Sequence, residues 1–155
     1  MERRESEKQR LDRNLDQLMT EVRVAMPGVQ ILFGFLLSVP FAARFDDLTA
    51  FQEAVYLVSL VAAGVATAFL IAPTAYHRVT FRRGEKRHLV FTANRWTILG
   101  LVALAIAMTA AVLFVVDFLF DSALAIALTG VLGALYVVLW FAFPLSRRLP
   151  TRDDG

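Results

Sequence analysis

The chain has 155 residues, 57% of them hydrophobic, with 16 basic and 14 acidic side chains and a formal charge of +2. Its mean hydropathy of +0.58 lies far above that of a water-soluble domain, so the apolar excess must face something other than water. With no cysteine, disulfides, thiol catalysis and cysteine-bound zinc are excluded.

Residues 1–23 are charged throughout. They are too long and too acidic for the basic head of a signal peptide, so the first apolar run is expected to stay as an uncleaved anchor. Within this segment Leu11, Leu15, Leu18, Met19, Val22 and Met26 share one face at 3.6 residues per turn. That pattern predicts an amphipathic helix lying in the cytoplasm or at the membrane interface. Pro27 lacks an N–H and clashes with the carbonyl four residues back, so Pro27-Gly28 reads as an elbow before the first span.

Four apolar runs follow, at about 24–43, 53–73, 96–116 and 122–143. Each is near the roughly 20 residues that cross a hydrocarbon core of about 30 Å. The predicted fold is therefore all-α: a polytopic membrane protein whose four transmembrane helices form two antiparallel hairpins, with residues 145–155 as a tail. Thr49-x-x-Gln52 matches a capping box, which starts the second helix at Ala50 and puts Glu53 in its first turn, where the helix dipole favours an anion. Pro73 is expected to close that helix and Gly84 to mark a turn. Ala63-x-x-x-Thr67, Gly64-x-x-x-Ala68, Thr129-x-x-x-Gly133 and the row Ala103, Ala107, Ala111 are small-residue faces suited to close helix packing. Asp121 or Ser122 can cap the fourth helix.

Lysine and arginine number six before the first span, one in the first loop, six in the middle loop, none in the last loop and three in the tail. This places both termini and the middle loop in the cytoplasm, and the expected location is a bacterial inner membrane with anionic headgroups as the partner of the arginines. Arg44, Asp46, Asp47, Glu53, Asp117 and Asp121 give the opposite side a net −4, against +6 inside.

Polar residues gather at two depths. Glu21, Arg23, Gln30, His77, Arg78 and Asn94 form a candidate cytoplasmic cluster, in which Glu21 is expected to pair with Arg78 or His77. Gln30 should face protein, since lipid cannot satisfy its amide. Arg44, Glu53, Asp117 and Asp121 form a candidate outer cluster, in which Asp117 is either solvated in the loop or paired and functional, with Arg44 the candidate partner.

No nucleophile elbow, phosphate loop or zinc-ligand spacing is present, and His77 and His88 cannot hold a metal alone. No catalytic activity, cofactor or nucleic-acid partner is expected. The run Glu21 to Phe41, with Pro27-Gly28-x-Gln30, and the run Ala72-Pro-Thr-Ala-Tyr-His-Arg78 resemble the DUF6328 family of small membrane proteins. The resemblance covers about Leu11 to Arg148 and implies a four-span fold. It carries no active site. Two functions fit: an oligomeric scaffold or accessory protein, or a small ion or proton-coupled transporter or channel built from several copies. Whether Gln30, Ser38, Ser59, Thr67, Thr109 and Thr129 converge on one cavity separates them.

Overall fold

The computed structural model describes residues 7–79, 86–120 and 122–146. The Gly84 turn, Asp121, Arg147 and Arg148 lie outside the described residues, as do the side chains of His77 and His88. The elements are α1 (Glu7–Ser38), α2 (Ala50–Val79), α3 (Lys86–Leu119), α4 (Ser122–Tyr136) and α5 (Phe143–Ser146). Two short 3-10 turns, Val39–Phe41 and Phe45–Asp47, join α1 to α2. There is no strand among the described residues. Four stretches are long and apolar enough to cross a membrane: Asp16–Phe41, Ala50–Tyr76, Val90–Leu119 and Ser122–Ser146.

The centre of the fold is the antiparallel pair α2 and α3. On α2 the residues Gln52, Tyr56, Ser59, Ala63, Ala66, Leu70 and Pro73 are all buried, at alternating spacings of four and three. On α3 the buried set Ala93, Thr97, Gly100, Leu104, Ala107 and Phe114 keeps the same spacing, with half-buried Ala111 filling its one gap. A repeat of 3.5 residues keeps one seam in contact along two helices that wind around each other. Most seam residues are small, which lets the backbones approach. At Gly100 the approach is close: a Cβ there would lie 2.8 Å from Leu70 Cγ and 3.3 Å from the Leu70 backbone nitrogen.

α1 lies along this pair with the same period. Leu18, Val22, Val29 and Leu36 are buried, and Ala25 and Leu32 are half-buried between them. Leu18, Val22 and Val29 share a core with Ala66, Leu70, Ala93, Ala103 and Leu104. The charge-flanked stripe near the N-terminus thus continues in phase into the first span and packs on α2 and α3. α4 packs at backbone distance against α3 and against neither α1 nor α2. Its contact face is Ala125 and Thr129, both buried, and Gly133, whose missing Cβ would sit 3.5 Å from Thr109 Cγ2. The Thr129-x-x-x-Gly133 spacing therefore serves the α3–α4 contact.

Three expectations are corrected. α1 is one helix of 32 residues with Pro27 inside it, so the helix does not end before the first span. Pro27 is exposed and costs one backbone bond to the Arg23 carbonyl, while the buried stripe continues in phase on both sides of it. α2 likewise runs through Pro73, which is buried in the seam, to Val79. α3 begins at Lys86, ten residues before its apolar run. At 32, 30 and 34 residues these three helices each exceed the roughly 20 residues that cross a bilayer.

α4 reaches Ser146 through a π-helical turn, Val137–Ala142, in which Phe143 N–H donates to the Val138 carbonyl five residues back. Pro144 accounts for the wider turn: its ring clashes with an α-helical carbonyl at Trp140 and supplies no donor. Trp140 packs against the core shared by α1, α2 and α3, and meets the Tyr136 ring at a tilt, 5.1 Å between centres. Gly100→Ala should force apart the α2–α3 seam and cost about 1–3 kcal/mol as an overpacked contact, read as a lower thermal midpoint in detergent. Gly130→Ala, where a Cβ meets nothing within 4 Å, should leave that midpoint unchanged.

Candidate functional site

The acidic end of the bundle, where α2 begins and α3 ends, holds the most connected polar group. Thr49 and Gln52 form the capping box expected of them: Thr49 N–H donates to Gln52 Oε1 at 3.1 Å, and Gln52 N–H to Thr49 Oγ1 at 3.3 Å. Glu53 N–H donates to the Thr49 carbonyl, and the Glu53 side chain stays exposed in the first turn, as the dipole favours. With its oxygen spent on the cap, Gln52 turns its amide nitrogen to α3. Nε2 donates to Asp117 Oδ2 at 3.0 Å and to the Asp117 carbonyl at 3.4 Å.

Of the two alternatives for Asp117 the structure shows pairing rather than a solvated loop, with Gln52 and not Arg44 as the partner. It lies in the last turn of α3, half-buried, with Gln52 as its donor. A carboxylate at a helix C-terminus opposes the local dipole, but the antiparallel neighbour brings the positive end of α2 alongside and relieves it. Asp117 Oδ1 is buried with no hydrogen-bond partner among the described residues. Arg44 instead reaches Asp47 at 3.7 Å, an exposed pair, and lies 4.7 Å from the centre of the Phe118 ring. Beside it a cavity of about 310 Å³ is walled by Val39, Phe45, Leu48, Phe114 and Phe118.

Tyr56 ties this end to α1. Its hydroxyl donates to the Leu36 carbonyl at 2.9 Å. Pro40 stands four residues after Leu36 and has no N–H to offer that carbonyl, so Tyr56 supplies the missing donor. The Tyr56 ring meets Phe45 edge-on at 5.7 Å and Phe114 at 5.8 Å. Neither Gln52 nor Tyr56 belongs to the outer cluster read from the sequence. The capping box carried a signal for Gln52, while Tyr56 is visible only once α1 and α2 are side by side.

At the basic end, Glu21 and Asn94 do come together, across a groove of about 300 Å³ between α1 and α3 that Asn14, Gln17, Val90 and Phe91 complete. Glu21 and Arg78 form no ion pair with each other, and both are exposed; the His77 side chain lies outside the described residues. Arg23 is also exposed. Gln30 faces outward rather than into the protein, because its neighbours Val29 and Leu32 take the buried face of α1. Tyr76 packs edge-on against Trp96 at 5.5 Å, closing the seam at that end.

Among the described residues, Gln30, Ser38, Ser59, Thr67, Thr109 and Thr129 line neither of these two cavities. Ser59 Oγ donates across the seam to the Ala107 carbonyl at 2.9 Å. Thr67, Thr97 and Ser38 donate to carbonyls of their own helices. Among the described residues no group of three His, Asp or Glu is placed to hold a metal ion.

Four apolar helices of spanning length, held by a seam of small residues and clamped by a hydrogen-bonded acidic end, define a helical membrane protein. The chain belongs to the DUF6328 family, a family of unknown function, whose model matches residues 4–144. No curated protein and no solved structure matches it. Gln52→Ala removes a cap bond and the donor to Asp117 together, and should cost about 2–4 kcal/mol. Asp117→Asn keeps an acceptor for Gln52 and should cost clearly less. Unfolding of the two variants in the same detergent checks the order.

Proposed function

We propose that this protein is a non-enzymatic, self-associating scaffold or accessory protein of the bacterial inner membrane, with both termini in the cytoplasm. The observation that supports this reading is how unevenly the helices are covered. One third of the span is buried in α2 and in α3, but only 11% in the first and fourth spans. In the central pair the hydroxyls of Tyr56, Ser59, Thr67 and Thr97 are spent on carbonyls, while α1 and α4 carry long uncovered apolar faces suited to further helices. Arg10, Arg13, Arg23, Arg78 and Arg95 are exposed at the basic end, where anionic headgroups favour them. Asp46, Asp47 and Glu53 are exposed at the other end.

A second reading, an ion or proton-coupled carrier built from several copies, draws on one observation: Asp117 Oδ1 is buried without a partner among the described residues. A buried acceptor without a donor is costly, and a bound proton or cation would relieve it. On the scaffold reading, purified protein should run as more than one copy in mild detergent, and proteoliposomes under a potassium or proton gradient should leak no faster than empty ones. Flux above empty liposomes that Asp117→Asn abolishes would reverse the order of the two readings.

A further inference from the structure

We propose that two copies of this chain associate through the outward face of α1, with Gln30 of each copy hydrogen-bonded to Gln30 of the other. The inference rests on the self-association reading and names the surface that carries it. Its starting point is the depth of Gln30. Phe33 packs against Gly64, which is at the middle of the spanning stretch Ala50–Tyr76. Gln30 is three residues from Phe33, about 5 Å along the helix axis. An amide so near the centre of the bilayer is out of reach of water. Its side chain is exposed and makes no hydrogen bond with any described residue. Hydrocarbon offers neither donor nor acceptor, so the group is stable there only against a polar partner from outside the chain.

The chemistry of the amide selects a second copy. One carboxamide has a carbonyl that accepts and an NH2 that donates, so it complements itself across a two-fold axis. The surface around it admits close approach. Gly34 lies one turn on, on the same face, and a Cβ there would meet nothing within 4 Å; Gly28 is equally open. Without a side chain at Gly34 a neighbouring backbone can come near enough for the two amides to meet. The outer face of α4 offers no such reason for contact. It is lined by Ile126, Val131 and Leu135 with open Gly130, all satisfied by lipid.

The chain has no cysteine, so single cysteines report the interface directly. Gly34→Cys and Gly130→Cys variants of the full chain would be placed in phosphatidylcholine–phosphatidylglycerol liposomes and oxidised. Gly34→Cys should cross-link to a dimer, and Gly130→Cys should not. In the same liposomes, fluorescence-transfer titration should show Gln30→Leu weakening dimerisation by roughly 3- to 20-fold, the range of interhelical polar contacts in membranes. Gln30→Asn should recover part of the loss. Gly34→Leu should weaken dimerisation while leaving thermal stability of the monomer unchanged, since the site is open. Cross-linking at Gly130→Cys alone, or full dimerisation of Gln30→Leu, would overturn the α1 interface and leave self-association standing. A protein monomeric at every concentration would overturn both.

Discussion

The structure depends on one contact, the seam between α2 and α3. In a bilayer, apolar side chains gain little by leaving lipid for protein, because acyl chains are as apolar as leucine. What holds two helices together is the closeness of their packing. The seam achieves it with Ser59, Ala63 and Ala66 facing Gly100 and Ala107, small residues that let backbone dispersion contacts accumulate. Ser59 adds a direct bond to the Ala107 carbonyl, which has no competing water at that depth. α1 and α4 are attached to this pair from outside, and neither would have a partner without it.

The ends of the seam differ in kind. At the basic end it closes on aromatic contact between Tyr76 and Trp96. At the acidic end it closes on hydrogen bonds. Gln52 works for two helices at once, capping α2 through its oxygen and holding Asp117 of α3 through its nitrogen. Tyr56 does the same between α2 and α1, answering a carbonyl that Pro40 leaves without a donor. Each bond meets a need that the backbone itself creates: free N–H groups at a helix start, a negative side chain at a helix end, a carbonyl opposite a proline.

Proline has three different fates here. Pro27 and Pro73 sit inside continuous helices, one exposed and one in the core. Pro144 follows a π turn that moves the offending carbonyl aside. The local penalty is the same in each case, a lost bond and a steric clash, and it does not by itself choose between a break, a kink and a bulge. In α1 and α2 the buried stripe runs in phase on both sides of the proline, so packing along the whole helix outweighs one missing bond.

The sequence by itself determined the number of spans, the small-residue faces and the capping box at Thr49-Gln52, because each depends only on length, spacing or neighbours within one turn. The charge distribution likewise separated a basic end from an acidic one. The partner of Asp117, the outward turn of Gln30 and the bond from Tyr56 to Leu36 depend on which helix lies beside which, and on the rotation of each about its axis. Those are properties of the packed bundle. Helices uniformly apolar around their circumference do not announce the packed face by hydrophobicity, since both faces are equally at home in lipid. The stripes of buried residues at spacings of three and four are present in the chain, but nothing in their polarity sets them apart; only contact between helices does.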